Sequence, residues 1–214
     1  MRKLPDRVVL TEAVLQTPGL VLLGRNRTTR ANKPMKLHVH DRCIEIVVVM
    51  KGHERYFTES GEHAVSGGEV FLSLPDQPHG TGPAEQGISE FIWFQIRMTE
   101  VDGFLGLSRD NAAYLRKRLQ SAVCRKWDTD RTCMALLMDG FRAYAGLNPH
   151  DRLRAQGSFL AALEGMLNQA ESQGWREPLM RPTGNAADEV NDRALMTEMA
   201  AYIRAHVTEP MEMD

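Results

Sequence analysis

From about residue 7 to residue 98 apolar side chains come in short bursts: "VVLTEAVL", "GLVLLGR", "MKLHVH", "IEIVVVM", "HERYFT", "HAVS", "EVFLSL" and "ISEFIWFQIRM". Turn formers such as "ESGE", "SGG" and "LPDQPHGTGP" divide them, and many short β segments at close spacing predict a sandwich or barrel. From about residue 103 the period lengthens to that of a helix. Leu115, Leu119, Ala122 and Val123 form one stripe, and Cys133, Leu136, Leu137, Gly140, Phe141 and Tyr144 a second. Phe159, Leu160, Leu163, Met166, Leu167 and Ala170 form a third, so three helices each bury an edge against something else.

The stretch "REPLMRPTGNAADEVNDR" that follows is rich in charge, proline and glycine and too poor in apolar groups to offset its ordering entropy. It reads as a linker. After it, Leu195, Met199, Tyr202 and Ile203 mark a last amphipathic helix with a stop at Pro210. The pattern thus divides the chain into a β region (1–100), a helical region (101–175), a linker (176–193) and a final helix (194–214).

Composition narrows the function classes. With 25% charged residues and 43% hydrophobic ones the chain has ordinary globular character. A net charge of −2 lacks the clustered basic footprint of a self-sufficient nucleic-acid binder. Cys43, Cys124 and Cys133 are odd in number and form no CxxC pair, which suits a reducing cytoplasm and argues against a disulfide framework. Neither an export signal nor a membrane span is expected from the pattern.

Candidate chemistry concentrates in "LHVHDRCIEIVVVMKG". On a strand His38 and His40 share a face. Glu45 follows His40 at an odd offset, and a turn or bulge at "DRC" is required to return it to the same interior, where Val47 and Val49 follow. His79 comes after a strand and a proline-bounded loop, placed to converge with the other three. Such a set suits Zn, Ni, Fe or Mn with a position left open for a small molecule; equally, the same groups can hydrogen-bond one another and a polar ligand. Arg55, Tyr56 and Arg97 are candidate polar pocket residues, whereas His53, His63, His150 and His206 adjoin turns or helix ends and read as surface residues.

The spacing of His38, His40, Glu45 and Gly52, with Gly68, Pro75 and His79 downstream, resembles the two motifs of the cupin superfamily. Gln77 replaces the glycine usual between that proline and histidine. The wording "HVHDRCIEIVVVMKG", "GGEVFLSLPDQPHG" and the Trp-bearing "FIWFQIR" is more similar to the effector-binding domain of AraC-type transcriptional regulators than to cupin enzymes. The resemblance implies a mainly β plus α fold, a cupin-like double-stranded β-helix barrel followed by a helical dimerisation region. It also implies a small effector, often a sugar or related metabolite, held by His38, His40, Glu45, His79, Trp93 and Arg97. Trp93 resembles the family's sugar-stacking tryptophan, although a plain core tryptophan would look the same. "NDRALMTEMAAYIRAHVTEP" resembles the entry helix of the family's helix-turn-helix domain, which the chain does not complete, so DNA would be contacted only through that absent part.

The expectation is therefore a homodimeric sugar-sensing or metabolite-sensing regulator domain and not an enzyme, with His38, His40, Glu45 and His79 as the metal set if a divalent metal is held. A metal-dependent cupin oxygenase, isomerase or decarboxylase is the alternative. The helices, linker and final helix beyond the barrel favour the sensor, because a minimal cupin enzyme needs none of them.

Overall fold

The computed structural model describes residues 5–30, 32–82, 85–122, 125–146 and 149–174. The linker and final helix expected at 176–193 and 194–214 lie outside these residues, as do Val123, Cys124 and His206. Among the described residues seven strands form the sheet: β1 (Arg7–Thr11), β2 (Leu20–Arg27), β3 (Cys43–Thr58), β4 (Gly61–Ser66), β5 (Glu69–Ser73), β6 (Ser89–Arg97) and β7 (Lys126–Asp128). A four-residue helix, α1 (Glu12–Leu15), interrupts the first of the apolar bursts, and α2 (Arg109–Gln120), α3 (Arg131–Ala145) and α4 (Arg152–Ser172) follow β6. The strands pair antiparallel in the order β1-β2-β6-β3-β5-β7, with β4 paired to the far half of β3. This is the cupin-like barrel with appended helices that the sequence motifs imply.

β3 reads as an unbroken apolar run because both of its faces are covered. Ile44, Ile46 and Val48 join Val70, Leu72, Ile92, Phe94 and Ile96 in the core beneath the helices, where Phe94 meets Phe159 of α4 edge to face at 5.0 Å. Val47 and Val49 face the opposite way, into a second cluster with Tyr56, Val65 and Phe71. The far half of β3 reaches that cluster because the strand bends at Gly52, which has φ +78. Tyr56 consequently stacks on Phe71 at 4.4 Å and closes one side of the barrel interior.

The helices are locked down by polar anchors as well as by their stripes. Asp130 caps α3 by accepting from the Cys133 N–H at 2.8 Å. Buried Arg118 of α2 donates to Glu164, Asn168 and Glu171 of α4. α2 ends at Gln120, so Ala122 is buried just beyond the helix.

Four local expectations are corrected. "MKLHVH" is not a strand: only His38 forms a β bridge, with His79, while Met35 and His40 use their carbonyls on loop contacts to the Thr81 and Asp76 N–H groups. The first burst is a strand only to Thr11, and α1 then ends at Gln16 in the left-handed region (φ 48). β7 lies inside the stretch read as helical, yet its three residues extend the barrel sheet from β5. His63 is buried, 2% exposed, because β4 turns its odd-numbered positions inward with Val65. Its ring sits 5.5 Å from Phe71 and its Nε2 lies 2.9 Å from the Thr58 hydroxyl. No described helix is long and apolar enough to cross a membrane.

A Cβ at position 52 would stand 2.1 Å from the Ile88 carbonyl oxygen. Gly52→Ala is therefore expected to lower unfolding free energy by about 2 kcal/mol or more. Urea denaturation checks it through a reduced midpoint at unchanged slope. An unchanged midpoint contradicts the bend.

Candidate functional site

The antiparallel register stacks the barrel interior in rows. Leu22, Gln95, Glu45 and Ser73 lie side by side across β2, β6, β3 and β5. One step along comes an apolar row of Gly24, Trp93, Val47 and Phe71. Side chains directly opposite in a ladder share a face and touch, so the first row gives the interior a polar end and the second an apolar wall.

Two loops bring imidazoles onto the polar row. His38 and His79 exchange backbone hydrogen bonds, each N–H donating to the other's carbonyl at 3.0 Å. The chain then turns at Asp41–Arg42, where Arg42 has φ 51. Asp76 fixes that turn, accepting from the Arg42 N–H at 2.9 Å while its own N–H donates to the His40 carbonyl at 3.2 Å. The turn carries the chain from the loop into β3 so that Glu45 enters the interior beside the imidazoles. Gln77 stands at the position where the cupin pattern has glycine, but the left-handed backbone falls on Asp76 (φ 60), so no glycine is needed there.

His38, His40, Glu45 and His79 thereby converge, with their ligand-type atoms all within 4.8 Å of one another. Glu45 Oε2 lies 3.0 Å from His40 Nε2, and Oε1 lies 3.2 Å from His79 Nε2. Gln95 donates to Oε2 at 2.9 Å and sits 3.1 Å from His40 Nε2. The Ser73 hydroxyl is 3.5 Å from His79 Nε2.

Backbone carbonyls set the imidazole protons. His38 Nδ1 lies 3.0 Å from the Lys36 carbonyl and His79 Nδ1 lies 2.9 Å from that of Gln77. A carbonyl only accepts, so both Nδ1 atoms carry hydrogen and Nε2 is the inward atom of each ring. Carbonyl contacts of this kind also fix metal-binding imidazoles. At the 3.2 Å contact a neutral His79 would set a lone pair against a carboxylate oxygen. Positive charge between those atoms resolves the conflict, either a second proton on the ring or a cation. The donor set fits a divalent cation on both chemistry and spacing.

Charge states follow from burial and contact. Burial works to raise the Glu45 carboxyl, but the adjacent imidazoles of His40 and His79 prevail and hold it well below the usual carboxylate range. Burial lowers His38 to about 4, and the neighbouring His79 acts in the same direction. Burial, then the carboxylates of Glu54 and Glu45, push the Tyr56 phenol well above its ordinary range.

The other candidates separate. Trp93 lies in the next row, partly exposed, 5.6 Å from the Phe91 ring. Its indole covers Gly24 so closely that a Cβ there would be 2.4 Å from the ring. Arg97 is on the same face of β6 but reaches Glu12 at 3.1 Å, at the rim and not among the imidazoles. Arg55 is exposed and pairs with Glu62. Tyr56 is buried against Phe71. Gln95 and Ser73 were not anticipated. Gln95 shares the Trp93 face of β6, but only its pairing with Glu45 fifty positions away marks it as part of the site.

The AraC-like ligand binding domain profile matches residues 24–163. No curated protein matches the chain. Among solved structures, a cupin protein from Bacteroides fragilis is 20% identical, with 49% of this chain and 87% of that chain covered and a TM-score of 0.40. KdgF from a Halomonas species is 23% identical, covering 45% and 86% of the two chains at a TM-score of 0.31. Oxalate decarboxylase from Bacillus subtilis, whose Mn(II) centres are described, is 16% identical, covering 54% and 34% at a TM-score of 0.33.

Acid is expected to destabilise the metal-free chain. Unfolded His38 takes up its proton near 6.5, but the folded ring does so only near 4, so stability falls as pH drops through that window. Glu45, depressed in the folded state, adds loss at still lower pH as it is forced to protonate. Melting temperature measured from pH 7 to 4 should decline, and His38→Ala should make the decline shallower. A profile identical in the variant contradicts the burial of a neutral imidazole.

Proposed function

The chain belongs to the AraC-like ligand binding domain family, and from that premise we propose that it is the sensing and dimerisation module of a cytoplasmic transcription regulator. A small molecule enters the barrel, meets the polar row and its imidazoles with its head, and lies along the Trp93 row with its body. The convergence of His38, His40, Glu45 and His79 inside the barrel carries this reading. A flat, partly exposed indole beside polar groups supports a sugar or related ring as ligand.

A divalent cation would be held by His38, His40, Glu45 and His79. When bound it supplies Lewis-acidic positive charge to an oxygen of the ligand. The chain's own residues do the rest: the Lys36 and Gln77 carbonyls orient the rings, and Phe71, Val47 and Tyr56 exclude water behind them.

Dimerisation through the helices has support in a mainly apolar groove lined by Leu107, Tyr114, Leu115 and Leu160 together with Asn111 and Glu164, in which Tyr114 is 60% exposed. In this reading DNA is contacted by a helix-turn-helix domain and not by the barrel. An effector shifts the regulator only by binding its two states unequally, and the Arg97–Glu12 pair joins the site-bearing strand to α1. The same four side chains also favour a second reading, a metal-dependent cupin enzyme. Turnover of a ligand that binds would decide for it.

A thermal-shift screen of sugars and small acids tests the sensor. A true effector at about a hundredfold its Kd should stabilise the folded chain by about 2.7 kcal/mol. The double variant His38→Ala/His40→Ala should lose that shift, and a retained shift would place the site elsewhere. Sedimentation should give a dimer that Tyr114→Glu weakens, whereas a monomeric wild type contradicts the helical contact.

A further inference from the structure

Gln95 touches the site but belongs to none of the motif positions. It stands opposite Glu45 in the β3–β6 register and is buried, 8% exposed. Its carboxamide donates to Glu45 Oε2 at 2.9 Å, the oxygen that also lies 3.0 Å from His40 Nε2. Glu45 Oε1 is left facing His79 at 3.2 Å. A carboxylate without such a donor rotates about its last bond and offers either oxygen, or both, to whatever positive charge approaches. With Oε2 tied to β6, one oxygen is presented and the other is fixed.

We propose that Gln95 is a positioning residue for cation binding at this site. It holds the Glu45 carboxylate so that Oε1 completes the set made by the three imidazoles. This rests on the reading that the site takes a divalent cation. An amide suits the task because it is a neutral donor: a Lys or Arg there would cancel the charge the cation needs, and a Glu would repel Glu45. Outer partners of this kind tune metal affinity by about 10–100-fold. The length of Gln95 matters as well, since the carboxamide must cross from β6 to β3 while its strand neighbours Phe94 and Ile96 stay seated under the helices.

Cobalt(II) is the probe, because its visible absorption reports ligand number and geometry independently of any catalytic turnover. The full chain, stripped with chelator, is titrated with cobalt(II), and zinc affinity is then read by competition against a chromophoric chelator. Gln95→Met keeps the length and loses the donor. It should weaken zinc by about 10–100-fold and alter the cobalt spectrum, both read at a temperature where circular dichroism shows the metal-free variant folded. If Gln95→Met binds zinc as wild type does with an identical cobalt spectrum, the role assigned to Gln95 is wrong and the cation site stands. If wild type takes up no cobalt or zinc, both fall.

Discussion

A carboxylate stays charged inside a β-barrel only if its oxygens are met, and Glu45 is met from three separate stretches of chain. His40 comes from the loop before β3, His79 from the loop after β5, and Gln95 from β6. Leaving one of these buried groups unpaired costs far more than the pair gains in water. The two loops therefore adopt the one arrangement that supplies both imidazoles. The mutual backbone bonds of His38 and His79, and the Asp76 clasp on the Arg42 N–H, are what hold that arrangement. The polar end of the barrel is in this sense a single unit.

The rest of the fold insulates that unit. One face of the sheet is sealed by α3 and α4, with Phe94 on Phe159, and the other encloses the interior lined by Val47, Phe71 and Tyr56. Low dielectric on both sides strengthens each contact to Glu45 and drives the neutral form of His38. The same geometry places site and helices on one chain of contacts. Arg97, two residues beyond Gln95, pairs with Glu12 of α1, and Thr17 just past α1 hydrogen-bonds Tyr144 of α3 at 2.8 Å.

Much of this was legible in the sequence, because ligand spacing and turn chemistry leave local marks. The His38, His40 and Glu45 spacing required a bend before Glu45, and the bend is there at Arg42. β6 ends at Arg97 and α2 begins at Arg109, on either side of the change in period, although β7 rejoins the sheet between α2 and α3. What was not legible depends on long-range pairing. Gln95 sits in "FIWFQIRM", apolar on both faces, so periodicity offers no contrast to mark its side, and its partner lies fifty positions away. β7 is three residues long and is a strand only because β5 offers an edge. His63 has charged neighbours and a turn beside it, which suggest a surface, yet Val65 and Phe71 carry its side inward. His38 reads as a strand position in the sequence, yet its segment runs as loop and reaches the site through one bridge to His79.

Histidine-selective 1H–15N NMR of the purified chain, titrated with zinc, tests the central arrangement most directly. The account predicts that the side-chain signals of His38, His40 and His79 shift together and saturate at one equivalent, while those of His53, His63, His150 and His206 stay in place. Shifts scattered among the latter four, or three sites responding at different zinc concentrations, would show that these imidazoles do not share one centre.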